Sequence, residues 1–461
     1  MKRYVLVVVL LSLLMAGCQS QMKKQTGDLT LQGADSLIAA RDAYKMPFTD
    51  FTQFVDSLKQ HSNAVDKVSK AYFYHSVMYG YNLNHSLRIP YEGFTRKPDY
   101  KRLARGAVFN DKELLKNEEY RKFLERYLDL TAKYMIEAGD APDFTDNIFI
   151  NTQFYVADKR LAGAVRQYAL SRIMLLQINT FGIDNIGGMF RKFKEECTDT
   201  TCLRNVEQAY QQMADVYRPA EKMTYKVIGE DSLNAYVTYP ERKGGNMPVI
   251  VLVHEGGWYN GHPGENAALA DLFNQLGFVA ISVEYRLKAR QDATPVDGLR
   301  DVKSAIRWVR SRAGFFNIDA HHVIAGGVSA GGHLVAASAL IPGYEQQNED
   351  TTISTVPDAV ILWSGCVDPT VDAWFGYCLR GTDDPENLSP THHVKAGAPP
   401  FLIFQGTSDE FLDYHTHIDF QKKLEAHKDY CKLVIYKGKT HFQVLEQDMK
   451  PEIEAFVSRI W

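Results

Sequence analysis

Ser329 lies in the stretch AGGVSAGGHL, residues 325–334, with Gly326, Gly327, Gly331 and Gly332 close on either side. A serine set between glycines, after an apolar run and before a helical segment, has the form of a nucleophile elbow. The strained turn lifts the hydroxyl clear of the backbone, and the glycines let neighbouring chain approach without a clashing Cβ. A hydroxyl is a weak nucleophile at its free pKa. It needs a base, a carboxylate to orient the base, and backbone N–H donors for the oxyanion that forms on attack.

Each of those parts has a candidate at the end of a strand-like run, where ligands gather in open α/β sheets. The run MPVIVLVH leads into EGGWYNG, which resembles the HGGG oxyanion motif of esterases and lipases. The N–H groups of Gly256, Gly257 and Ala330 are the expected donors, each worth about 2.7–4 kcal/mol of transition-state stabilisation. Glu255 stands where that motif usually has glycine, so its side chain is expected to turn away from the oxyanion. After FLIFQG comes TSDE, and after KLVIYKG comes KTHF, which supply Asp409 as orienting carboxylate and His441 as base. Asp413 and Glu410 are rival carboxylates further from the strand end. His415 and His417 fall on the intervening helix and read as surface or packing residues. Trp258 and Trp374 are assigned to substrate binding; the segment VDAWFGYCLRG around Trp374 suits an aromatic acyl or sugar pocket, or core packing.

The elements that must position these groups are legible in the pattern. From residue 221 on, short apolar runs alternate with helical segments, and runs apolar on consecutive positions suit strands buried on both faces of a parallel sheet. In GLRDVKSAIRWVRSRAGFF, Val302, Ile306 and Val309 form one stripe, with Asp301 near the helix start where it complements the dipole. Residues 31–220 differ. Their apolar positions recur at helical spacing, as in YRKFLERYLDLTAKYMIEAG, with Gly139 at a helix end, and they read as an all-helical domain. The expected fold class is α/β, a doubly wound and mostly parallel sheet over residues 221–461, preceded by that helical domain.

Through the segments VEYRL, GGVSAGGHLVAASAL, LSP, PPFLIFQGTSDE and GKTHF, residues 221–461 resemble an α/β-hydrolase of the esterase/lipase type, near the acetyl, acetyl xylan and feruloyl esterases. The resemblance implies Ser329 as nucleophile, His441 as general base then acid, Asp409 as its partner, and no cofactor. It points to a serine carboxylesterase acting on acyl or aryl esters, carbohydrate-linked ones first. Asp301 and Arg286 recur in the family pattern and read as structural. Two alternatives stand beside this reading: a prolyl-oligopeptidase-like peptidase, and a binding protein on a hydrolase scaffold without catalysis. The helical half is similar to the region that precedes the redox domain in some thioredoxin-like bacterial lipoproteins, but no CxxC occurs in the chain.

Bulk composition narrows the partners. With 52 Lys and Arg against 56 Asp and Glu, no basic footprint for nucleic acid stands out. Lys2 and Arg3, the apolar run YVLVVVLLSLLM and the small residues before Cys18 form an export signal over residues 1–17, and the ending resembles a bacterial lipobox. Cys18 is then the lipidation site that joins the protein to a bacterial membrane, in the periplasm or at the cell surface, and residues 18–30 are a tether. Export favours disulfides, so Cys197 with Cys202 and Cys366 with Cys378 are expected to pair locally, leaving Cys431 alone. No His or further Cys lies near either pair at ligand spacing, and no metal site is expected.

Overall fold

The computed structural model describes residues 30–461 except 41–42, 44–47, 62–66, 93–105, 143, 145–146, 185, 230 and 242–243. The export signal, Cys18 and the tether as far as residue 29 lie outside the described residues.

Among the described residues, eight α-helices fill the chain as far as Tyr217: α1 (Leu31–Ala40), α2 (Phe48–His61), α3 (Lys67–Glu92), α4 (Glu118–Ala138), α5 (Ile148–Arg160), α6 (Gly163–Phe181), α7 (Gly187–Glu196) and α8 (Thr200–Tyr217). Their ends follow local chemistry. The Asn117 side chain accepts from Tyr120 N at 3.1 Å to open α4, and Gly139, at φ 72°, closes it as its position in the sequence suggests. Asp199 caps α8 by accepting from the N–H groups of Thr201 and Cys202. Helix capping of this kind satisfies donors that the first turn leaves without partners.

The chain divides into two compact units. One comprises the described residues up to Ala141 with Thr152–Leu170; the other comprises Pro142–Asn151 with Ser171–Trp461. Aromatic packing holds the first: Phe51 stacks on Tyr81 with ring centroids 3.9 Å apart, amid buried Ala34, Ile38, Leu58 and Val77. Tyr72 meets the Tyr120 ring edge-on at 4.8 Å.

The second unit carries one eight-stranded sheet: β1 (Glu221–Ile228), β2 (Asp231–Thr238), β3 (Met247–Val253), β4 (Val279–Val283), β5 (Ile318–Val328), β6 (Ala359–Trp363), β7 (Phe401–Gly406) and β8 (Cys431–Tyr436), in the order β1-β2-β4-β3-β5-β6-β7-β8. The β1–β2 and β2–β4 pairs are antiparallel and the rest parallel, with Val251 opposite Ile281 on one side and Ala325 on the other. The strand-like runs MPVIVLVH, FLIFQG and KLVIYKG form β3, β7 and β8. The β1–β2 hairpin is an addition: β1 mixes exposed and buried positions and places the charged Lys226 inside, so it lacks the continuous apolar run that marks the central strands.

Helices cover both faces: α9 (Ala267–Gln275), α10 (Pro295–Ser311), α11 (Ala330–Leu340), α12 (Ala373–Leu379), α13 (Tyr414–Ala426) and α14 (Lys450–Ile460). Thr294 and Asp297 form a capping box that starts α10 six residues before Asp301, which corrects the reading of Asp301 as a dipole partner. Fully buried, Asp301 instead accepts from Arg286 Nε (2.8 Å), Arg286 Nη2 (2.9 Å) and Lys226 Nζ (2.7 Å). That cluster fixes β1 and the loop after β4 to α10, a structural role for Arg286 and Asp301.

The expected disulfides are not formed. Cys197 Sγ donates to the Asp199 carbonyl at 3.5 Å, while Cys202 lies in the first turn of α8 and both remain thiols. Cys366 is buried in the loop after β6, and Cys378 turns its Sγ toward Gly257 O at 3.5 Å. Proximity in sequence places each pair on different elements whose side chains have other neighbours.

Candidate active site

Strand order reverses about β3, which has β4 on one side and β5 on the other. A crevice at such a switch point is where open sheets bind ligands. Ser329 follows β5 directly with φ 53° and ψ −116°, a conformation that L residues adopt only under constraint. Three close approaches supply the constraint. A Cβ on Gly327 would lie 2.4 Å from the Gly331 carbonyl group, one on Gly331 2.3 Å from Val253 O, and one on Gly332 2.5 Å from Gly365 Cα. The glycines of the opening stretch therefore let β5, α11 and the ends of β3 and β6 meet around one serine. Helix α11 begins at Ala330, so its N-terminus sits immediately behind the hydroxyl and favours negative charge there.

Past β3 the chain turns sharply through Gly256 (φ 113°) and Gly257 (φ 58°). A Cβ at Gly256 would fall 1.9 Å from Asn260 O, so the turn admits only glycine. Among the described residues, the N–H groups of Gly256, Gly257 and Ala330 donate to no protein acceptor. Unpaired backbone donors at a cavity wall are what a developing oxyanion requires. Gly256, Gly257, Ser329 and His441 line one cavity of about 470 Å³, together with Glu255, Glu265, Trp374, Phe411 and Phe442.

His441 and Asp409 meet as the sequence placed them. Asp409 Oδ2 accepts from His441 Nδ1 at 2.7 Å, and the two side chains are 0% and 1% exposed. The N–H groups of Phe411 and Leu412 (both 2.9 Å) and Gln405 Nε2 (2.8 Å) also donate to this carboxylate. Burial alone would raise its pKa; the hydrogen bond and charge of His441, with the Leu412 and Gln405 donors, outweigh burial and hold it below the ordinary carboxylate range. The Ser364 hydroxyl donates to His441 O at 3.0 Å and fixes the loop from behind. The Ser329 hydroxyl shares the cavity wall with the ring without a hydrogen bond to it, a contact that in unliganded sites often tightens only when substrate binds.

The rival groups lie elsewhere. Asp413 caps α13 by accepting from His415 N at 3.0 Å and faces solvent with His415. Glu410 accepts from His441 N at 3.2 Å, so it touches the backbone rather than the ring. His417 is buried and donates through Nε2 to Gly365 O at 2.7 Å, a packing role. Trp258 and Trp374 both line the cavity but differ in use. The Trp258 ring is buried, its Nε1 donating to His333 Nδ1 at 3.2 Å, whereas Trp374 is 37% exposed at the mouth and donates to Gly257 O at 2.9 Å.

Sequence reasoning missed the support behind this wall. Gly261 N donates to Thr180 O at 3.0 Å, and the Tyr217 hydroxyl is 2.9 Å from His262 Nδ1. Segments of α6 and α8 thereby hold the turn that carries Glu265. Only the coordinates bring residues so distant in sequence together. Glu255 is among the residues lining the cavity, and its Oε2 is buried with no hydrogen-bond partner.

The BD-FAE family matches residues 236–424. The apo form of Thermogutta terrifontis esterase 2 superposes with a TM-score of 0.50 at 31% identity, covering 52% of this chain and 95% of that one. The chain belongs to the α/β-hydrolase esterases. A propionate-bound form of the same esterase gives the same TM-score and identity, with 53% and 95% covered. Among curated relatives, esterase LipC of Mycobacterium tuberculosis is 30% identical over 198 residues, 39% of this chain and 48% of LipC. A probable isoprenylcysteine alpha-carbonyl methylesterase of Arabidopsis thaliana is 22% identical over 256 residues, 48% of this chain and 51% of its own. This α/β-hydrolase chain spans about half the length of those curated relatives.

Proposed function

We propose that the chain is a serine carboxylesterase in which Ser329, His441 and Asp409 act as a triad. Ser329 Oγ attacks the ester carbonyl carbon as its proton passes to His441 Nε2, and the ionised Asp409 stabilises the imidazolium. The carbonyl oxygen, now an oxyanion, takes the N–H groups of Gly256, Gly257 and Ala330. Collapse expels the alcohol, which leaves with the proton from His441, and an acyl-enzyme remains. Water then attacks with the same base and donors, releasing the carboxylic acid and restoring the hydroxyl. The observation that carries this reading is the convergence on one cavity of a strained serine, a carboxylate-bound imidazole and unpaired backbone donors. A solved relative described as phosphoramylated by tabun supports it.

Short acyl or aryl esters on carbohydrate are the proposed substrates, an assignment supported by the resemblance to carbohydrate esterases and by the exposed Trp374, Phe411 and Phe442, at 37%, 66% and 46%, which offer flat apolar faces at the mouth. The protein is proposed to be exported and lipid-anchored through Cys18. Acetylated and feruloylated oligosaccharides assayed beside p-nitrophenyl esters test the substrate. Turnover of the simple esters with none of the oligosaccharides would retain the esterase and discard the carbohydrate. Labelled palmitate should enter the wild type and not Cys18→Ala, and label in the variant would discard the anchor.

A further inference from the structure

Glu255 and Glu265 are two carboxyls in the wall of the candidate catalytic cavity, one of them the neighbour of an oxyanion donor. Glu255 occupies the motif position that is usually glycine, directly before Gly256, and its buried Oε2 has no hydrogen-bond partner. Glu265 enters from the turn after His262, with Oε2 3.9 Å from His254 Nδ1 and Oε1 4.0 Å from His262 Nε2. Neither ring offers a positive charge. His254 is stacked on Tyr285 with its Nδ1 2.7 Å from Glu255 O, and burial lowers it to about 3. His262 is held by the Tyr217 hydroxyl, and burial lowers it to about 4. The Tyr285 hydroxyl donates to the carbonyls of His254 and Glu255. Arg290, whose charge acts on His254, lies 3.7 Å from Glu284 Oε1. Asp372 and His441 also line the cavity, and no Lys or Arg is among the lining residues described.

We propose that the Glu255–Glu265 pair must hold a proton for the oxyanion to form at full rate, and that loss of this last proton shuts turnover down on the alkaline side. The inference rests on the esterase reading above. A tetrahedral intermediate places a full negative charge on the N–H groups next to Glu255, and with both glutamates ionised two further negative charges share the same enclosed space without a fixed cation. Burial raises both carboxyls, Glu265 to about 8 with the Glu255 charge as its next contribution, while the His441 charge draws Glu255 the other way. The titration belongs to the pair rather than to either residue. A triad alone gains activity as its imidazole loses a proton and then holds level; this site bends down again.

The test is the pH profile of kcat/KM on a short-chain p-nitrophenyl ester, between about pH 5 and 10, for wild type, Glu255→Gln and Glu265→Gln. Each amide leaves the pair unable to reach its doubly charged form. The wild type should fall about tenfold on the alkaline side with a midpoint of about 8, and in each variant, where the remaining carboxyl titrates without its partner, the fall should be displaced from that midpoint. In 13C-carboxyl NMR of the wild type, which does not depend on how the variants fold, a buried glutamate should titrate over the same range. A level alkaline arm in wild type, an unaltered fall in either variant, or no such carboxyl signal would overturn the inference. Folded wild type that turns over no ester at any pH would instead bring down the esterase reading, and the inference with it.

Discussion

Replacing Asp409 by Asn keeps the size of the side chain and removes its charge. In the structure the carboxylate oxygen is 2.7 Å from His441 Nδ1, and both groups are shielded from water. When the imidazole takes the serine proton, the charge centres stand about 4 Å apart, and at an effective dielectric constant of 20 their attraction is about 4 kcal/mol, roughly a thousandfold in rate. The amide also favours the wrong ring tautomer by presenting N–H toward Nδ1. Together these predict a fall in kcat of about 10³- to 10⁴-fold with little change in KM. Asp413→Asn, which retains a helix cap, and Glu410→Gln, which retains an acceptor for His441 N, should each stay within about tenfold of wild type. Steady-state kinetics on a p-nitrophenyl ester, with urea melts to confirm folding, reads all three. A larger loss from Asp413→Asn or Glu410→Gln than from Asp409→Asn would refute the assignment of the acid.

Asp301→Asn should destabilise the protein by about 3–5 kcal/mol in urea unfolding, because Lys226 and Arg286 then face each other in the interior without the charge that holds them; a change under about 1 kcal/mol would show that the cluster is not needed. Gly332→Ala would place a methyl 2.5 Å from Gly365 Cα, a backbone atom that cannot yield locally. It should cost about 1–3 kcal/mol and most of the esterase activity, and wild-type kinetics in this variant would contradict the packing described around Ser329. Denatured without reductant, the protein should take up alkylating reagent at Cys197, Cys202, Cys366 and Cys378 alike; protection of either pair, seen by peptide mass, would restore the disulfide.

What the sequence disclosed and what it withheld divide along a physical line. The glycine-flanked Ser329 turn, the EGG turn after β3 and the residues after β7 and β8 announce themselves because each such role demands a residue type at a fixed distance from a strand end, so the strained turn at Ser329 and the contact of His441 with Asp409 were legible in one dimension. The central strands β3 to β7 were legible for a related reason, being apolar on both faces. The β1–β2 hairpin was not, since Lys226 interrupts its inward face and finds compensation only in Asp301, 75 residues away. Asp301 itself looked like a helix-start charge until the start of α10 was fixed at Pro295. The support given by Thr180 and Tyr217, and the entry of Glu265 into the cavity, depend on long-range packing that leaves no local pattern. The cysteine pairs misled because spacing along a chain says nothing about where two thiols point.

The central claim is that the Ser329 hydroxyl is the activated nucleophile of this cavity. Intact-protein and peptide mass spectrometry after treatment with a fluorophosphonate probe tests it most directly. The account predicts one adduct per chain, mapped to Ser329, formed far more slowly in His441→Ala and absent from Ser329→Ala. An adduct on another residue, or folded wild type that resists the probe, would contradict it.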